Sequence, residues 1–478
     1  MPRLLPVILT AILVQPHLVH GQQPWGELPH CDDQIRSVAF SPDGSMIAVG
    51  GCFQDVRIWE TGTNKPLHRL SGRAGWALAV AFAPDGKTLA STNWKDGTLS
   101  LWDLGTGKER LTLSKHVKSP EVHHVAWAPN GKLVGSAGYD GTVRLWDPAT
   151  GKELQTMAGH DGARSYVVAF SPDSKRVASG GSDGRVRVWE AATGKALHVS
   201  NPAAEMVTAV VFAQGGKKLY YGSHDGVMRE WGIETGKELR QWSTGHGAAR
   251  TLALSPDGRS LAVATSEGLA QVWELATLKQ RRQFRADDGF TWSVAFAPDG
   301  KTLATGGDSK NVRLWDLTDG WLLFAGALGF RKMPPLTDKD LDRCWKELGG
   351  GDAALAYTAV WALSTDPAQS VPFLARRLPA DKARPVDTRR VATLIDQLVD
   401  DDIAMREKAS EELELFLTGA RAQLVKALEK PASLEQKARI EQLLKTLSPE
   451  EKRLIRATEV LERIGSADAK RVLEETRK

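Results

Sequence analysis

Short runs of alternating apolar and polar residues, such as Val38-Ala39-Phe40, fill the first two thirds of the chain. A period of two reads as β-strand with one face buried. The runs are cut by a recurring turn: Ser41-Pro-Asp-Gly44, Ala83-Pro-Asp-Gly86, Ser255-Pro-Asp-Gly258 and Ala297-Pro-Asp-Gly300. Ala128-Pro-Asn-Gly131 and Ser171-Pro-Asp-Ser174 are variants, and Ala213-Gln-Gly-Gly216 has lost the proline. Proline presets φ at the first central position of a turn, and Asp and Gly suit those after it. A second reversal, Asp-Gly at 96–97, 140–141, 183–184 and 225–226, is a strong hairpin signal because such turns need positive φ. A third landmark, Thr-Gly-Lys at 106–108, 150–152, 193–195 and 235–237, leads into a further short strand. Each unit so marked predicts four short antiparallel strands.

After Phe330 the alternation stops, and Arg331-Lys-Met-Pro-Pro335 reads as a linker. Helical spacing follows: Leu341, Trp345 and Leu348 share a face, as do Leu355, Ala359 and Leu363. Val391, Leu394, Ile395 and Leu398 continue the pattern, and further stripes end at Val460, Leu461 and Ile464. Ser448-Pro-Glu-Glu451 predicts a helix start, with a capping serine, Pro at the first helical position and acids in the first turn. Gly465 predicts its end.

Seven tryptophans keep one phase: Trp59, Trp102, Trp146, Trp189, Trp231, Trp273 and Trp315, spaced by 43, 44, 43, 42, 42 and 42 residues. An acidic residue follows six of them, and Gly232 is the exception. This period, ending in Trp-Asp and keeping the turns in phase, resembles the WD40 repeat over roughly residues 30 to 326. The resemblance implies an all-β, seven-bladed propeller over residues 22–330. It leaves open whether Trp321 to Phe324 or Trp25 to Leu28 supplies the outer strand of the seventh blade. It also implies a buried His, Ser or Thr, Asp and Trp network in some blades. That set is His160, Ser179, Asp183 and Trp189 in the fourth unit, and His116, Ser136, Asp140 and Trp146 in the third. The role is structural, giving buried indole and imidazole groups their partners. The helical segment, 337–478 after a linker at 331–336, resembles HEAT-type α-solenoid units, best at 402–429 and 448–477. Taken whole, the chain resembles a class of bacterial, exported WD40 proteins. Their segments appear here as Leu341 to Leu348, Ala356 to Trp361 and Val460 to Gly465.

Composition narrows the partners. A formal net charge of +4 gives no reason to expect nucleic acid. Three cysteines make neither a disulfide framework nor a four-cysteine zinc site, and no cofactor is expected. Arg3 followed by the apolar stretch Leu4 to Val14 reads as a signal peptide over 1–21, and nothing later is apolar enough to insert stably in a membrane. A secreted or periplasmic location follows, with a cytoplasmic one as the alternative. Export would allow Cys31 and Cys52, on loops of one propeller face, to form a disulfide. Gly180-Gly-Ser-Asp-Gly184 matches a nucleophile elbow only as text, because a hairpin turn follows it where a helix is required.

No catalytic motif survives, so the expected function is that of a non-catalytic protein-interaction scaffold. Its candidate rim is Arg73, Trp94, Lys95, His123, Tyr139, Arg164, His224 and Lys310. The helical tail is a second docking surface, and the partners are proteins. The alternative is an enzyme or small-ligand binder using the central channel.

Overall fold

The computed structural model describes residues 24–477 except 25, 29–30, 72–74, 115, 117–120, 161, 319–334, 379–386, 401, 416 and 430. The expected leader, Trp25, Arg73, Trp321 to Phe324 and most of the expected linker lie outside the described residues.

Two compact units divide the chain: residues up to Trp273 with Arg282–Leu317, and Glu274–Arg281 with Thr318–Lys478. Seven four-stranded antiparallel sheets are present, six of them inner-to-outer meanders. The first runs Ile35–Phe40, Met46–Gly51, Val56–Glu60 and Pro66–Leu70. Successive inner strands pack against one another, and Ile35–Phe40 meets Thr291–Phe296 to close the ring. The seventh sheet takes its outer strand from the other end of the sequence: Gly26 pairs with Leu314 and Glu27 with Arg313. Two further bonds extend the seam, from Leu28 N to Val312 O at 3.0 Å and from Cys31 N to Lys310 O at 2.8 Å.

The tryptophan phase has a packing cause. Each blade buries little by itself, so its indole is placed against the preceding sheet. Trp102 packs with Val56 and Ile58 of the first blade, and Trp146 with Leu99 and Leu101 of the second. Trp189 packs with Val143 and Leu145 of the third. Trp59 packs with Ala304 and Leu314 of the seventh, which completes the circuit. The Asp-Gly turns are needed for the same tight fit. Gly184 has φ +71°, and a Cβ there would lie 2.7 Å from Ala203 O.

Helices make up most of the described part of the second unit. Asp338–Leu348 buries Leu341, Cys344, Trp345 and Leu348, the expected stripe with a cysteine added. Ala353–Thr365 buries residues around much of its circumference, among them Tyr357, Val360 and Trp361, while Leu355 of the expected stripe is only half-buried. Pro449–Ile464 starts in a capping box, with the Ser448 side chain accepting from Glu451 N, and ends at Gly465 with φ +64°. Four charged side chains of this unit are almost wholly buried. Arg281 Nη2 lies 3.0 Å from Glu274 and 2.8 Å from Glu459, and Arg456 Nη2 lies 2.6 Å from Glu274. Arg456 Nη1 also donates to Leu348 O and Gly350 O, so its fork is well satisfied. Burial pushes the Glu274 carboxyl up, but Arg456 and Arg281 outweigh it and leave it at about 2.

Candidate functional site

The buried networks come first because they fix the loops at one end of the blades. In the fourth blade His160 Nδ1 lies 3.0 Å from Asp183 Oδ1, and its Nε2 lies 2.9 Å from Ser179 Oγ. Trp189 Nε1 donates to the same Ser179 Oγ at 3.3 Å. The third blade repeats the pattern: His116 to Asp140 at 3.0 Å, His116 to Ser136 at 2.9 Å, and Trp146 Nε1 to Ser136 Oγ at 3.0 Å. Burial raises the Asp140 carboxyl, but the bond and charge of His116 and the Thr142 bonds hold it near 2. Elsewhere the indole finds other acceptors: Ser91 for Trp102, Gln271 for Trp273 and Thr305 for Trp315.

The channel through the ring is built by a second repeated feature. In six inner strands the pairing register skips one residue: Arg36, His123, Tyr166, Thr208, Arg250 or Trp292. For example, Ile35 pairs with Gly51 and Ser37 with Gly50, so Arg36 has no partner of its own. A bulge of this kind re-aims the side chain it carries. Leu78 holds the equivalent place in the second blade, just ahead of the short strand Val80–Phe82. All seven side chains line one cavity of about 630 Å³, which is within the range of small-molecule sites. Each stands five residues before the Ser or Ala that opens its blade's turn.

The ring is aromatic and cationic. The Arg36 guanidinium lies 3.6 Å from the centre of the Trp292 ring, and that of Arg250 lies 4.5 Å from it. Trp292 Nε1 donates to Asp308 Oδ1 at 2.7 Å. Arg250 Nη1 donates to His224 Nε2 at 3.1 Å. His123 Nδ1 lies 2.8 Å from Tyr166 O, its ring stacks on Tyr139 at 5.7 Å, and Tyr166 packs edge-on against both. Trp76 and Trp94 stack at 4.9 Å beside them. Burial drives His123 down to about 4, with the nearby Arg36 and Arg250 adding to it against the Tyr166 bond. Burial likewise lowers His124 and His224 to about 4. All three imidazoles are therefore neutral at pH 7.

Of the expected rim residues, Trp94, His123, Tyr139 and His224 line this cavity. Arg164 is exposed at its edge, with its guanidinium 4.5 Å from the centre of the Tyr139 ring. Lys95 is exposed in the loop after the second strand of its blade, and Lys310 Nζ donates to Asp32 O at 3.2 Å. Arg36, Tyr166, Thr208, Arg250 and Trp292 escaped the sequence reading. Their constant offset from the turn was the available signal.

Two expectations are corrected. Cys31, Cys52 and Cys344 are free thiols, so the Cys31–Cys52 disulfide is absent. Cys31 is buried in the seam between the first and seventh blades beside Ile35 and Val312. Cys52 Sγ is engaged instead by Arg36 Nε, which donates to it at 3.5 Å, and by Gln34 Oε1 at 3.8 Å. Among the described residues no group of His, Cys, Asp or Glu is placed to hold a metal ion. Gly180 and Gly181 end a strand, and a turn follows them.

Comparison with known proteins agrees with this architecture. The family model described as "WD domain, G-beta repeat" matches residues 22–60 and 64–103, and one described as "IFT122 first beta-propeller" matches 121–333. The chain is 30% identical over 106 residues to antiviral protein SKI8 of Saccharomyces cerevisiae, covering 19% of this chain and 26% of that one. It is 33% identical over 98 residues to small ribosomal subunit protein RACK1 of Neurospora crassa, covering 20% and 30%. It is 34% identical over 79 residues to target of rapamycin complex subunit wat1 of Schizosaccharomyces pombe, covering 16% and 24%. The match thus spans about a quarter to a third of each relative's length. These relatives overturn the expectation of export. They are eukaryotic, and one is named a ribosomal subunit protein and another a subunit of the target of rapamycin complex, neither an exported role. No described helix is long and apolar enough to cross a membrane. Seven blades closed by the segment at Gly26, a tryptophan phase and the family matches lead to one conclusion: this chain carries a seven-bladed β-propeller whose first two blades match the WD repeat.

Proposed function

We propose that the chain is a non-catalytic protein-interaction scaffold whose recognition surface is the channel mouth. The observation that carries this reading is the ring of bulged inner-strand residues. It gathers Trp, Tyr and Arg side chains, the usual anchors of protein interfaces, on a rigid support. Exposure supports it too, since Trp76 keeps 39% of its surface accessible while stacked on Trp94. Relatives named as subunits of a ribosome and of a signalling complex fit the same role. The succession of described helices from Asp338 to Arg477 supports a HEAT-like second docking surface over about 337–478. The matching domain division is a propeller over 22–330, a linker over 331–336 and the helical segment over 337–478.

Partner recovery by the full chain tests the proposal. The comparison is with Trp94→Ala and Tyr139→Ala variants whose thermal melts match the parent. Loss of the same partners from both variants supports it. Undiminished recovery by both overturns it. The volume of the channel, about 630 Å³, favours a second reading, a small-ligand site.

A further inference from the structure

We propose that the channel mouth holds an oxyanion, a carboxylate or phosphate joined to a flat apolar body, clamped between Arg36 and Arg250. This rests on reading that face as a recognition surface, but it asks a separate question: what chemistry the surface recognises.

The lining of the cavity contains two arginines and no Asp or Glu. Neither guanidinium has a carboxylate partner among the described residues. Arg36 donates to the Cys52 sulfur, and Arg250 donates to neutral His224. Arg250 Nε is buried with no partner at all among the described residues. The nearby carboxylate, Asp308, spends its oxygens on Trp292 Nε1 and Phe290 N. Both cations are thus held against one indole face system, partly desolvated and repelling each other. Burial, then the charge of Arg36, depresses Arg250, and the charge of Asp308 opposes them only in part. Such an arrangement is costly without a counter-charge, and a ligand oxyanion supplies it. Arginine's planar fork suits an oxyanion better than a point charge does.

The remaining walls say what the anion is attached to. Trp76 and Trp94 are stacked, and His123 and Tyr139 are stacked, so flat apolar faces adjoin the cations. The space of about 630 Å³ is ample for a phenyl-sized body. A cation at the same aromatic faces would meet the repulsion of both arginines. The anion can come from a free small molecule or from an acidic group on a partner protein, and the experiment separates the two.

The test is calorimetric titration of the full chain at low salt with phenyl phosphate, benzoate, benzamide and inorganic phosphate, with tryptophan fluorescence as a second readout. A peptide ending in a free phenylalanine carboxylate, and its amide, form the second arm. The expected result is saturable binding of phenyl phosphate or benzoate, weakened about tenfold by Arg36→Gln and by Arg250→Gln, with benzamide failing to compete. Tighter binding of the acid peptide than of benzoate assigns the anion to a protein partner, and the reverse assigns it to a free ligand. Absence of saturable binding by every anion, benzamide binding as well as benzoate, or unchanged affinity in an Arg36→Gln/Arg250→Gln double variant of parental melting temperature overturns the proposal. Loss of the anion site with partner recovery intact would leave the scaffold reading standing.

Discussion

Single residues set the blades' rigidity, and Ser179 is the most informative of them. Its hydroxyl serves both the Trp189 indole and the His160 imidazole, so Ser179→Ala leaves two buried groups short of a partner. A loss of about 1–3 kcal/mol in chemical denaturation is expected. Trp189→Ala removes the whole indole from the third-blade interface, and about 3–5 kcal/mol should go with it. Two neutral results would mean that these residues are not in the network. Titration gives a third expectation. His123, His124 and His224 titrate near 4 when folded, below the ordinary 6.5. The unfolded chain therefore binds more protons between those values, and stability present above about 6.5 is lost as pH falls towards 4. Melting temperature measured from pH 7 to 4 should fall, and His123→Asn should flatten the fall. A flat profile in the parent would show that these imidazoles are not held neutral. At this scale the sequence was informative, because Ser and Asp stand 10 and 6 residues before both Trp146 and Trp189, with His 30 or 29 before.

Elements are where legibility was uneven. Turns and helix caps are local chemistry, so Ser448, Glu451 and Gly465 announced their helix in advance. The bulges were not announced. A bulge is a mismatch between two strands, and its signature in one strand is only an offset from the turn that follows. Arg36, Tyr166 and Trp292 look like ordinary strand residues until their partners are counted. The buried charges of the second unit were invisible for a similar reason, since Glu274 and Arg456 are 182 residues apart. Arg456→Met should destabilise this unit by about 3–5 kcal/mol, because Glu274 stays buried with half its partners gone. Urea unfolding followed by helical circular dichroism measures it. A cost below about 1 kcal/mol would mean that Glu274 finds water or protonates instead.

Ring closure belongs to the whole first unit. The strand at Gly26–Glu27 is too short to show a period, which is why the sequence left two candidates for it. Leu28 beside it is only 2% exposed, so Leu28→Asp should unlatch the seam and lower the melting temperature by several degrees, whereas Glu27→Ala should not. Export was misread because an apolar start such as Leu4 to Val14 says nothing of the relatives' roles. The central claim, a scaffold that works through its channel mouth, is met most directly by crosslinking mass spectrometry in the native host with amine-reactive reagents. Lys95 and Lys310 stand in loops between second and third strands, at the channel-mouth end, whereas Lys108, Lys152 and Lys237 lie on the outer strands or just before them. Partner crosslinks should concentrate on Lys95 and Lys310. Crosslinks confined to Lys108, Lys152 and Lys237 would contradict that claim.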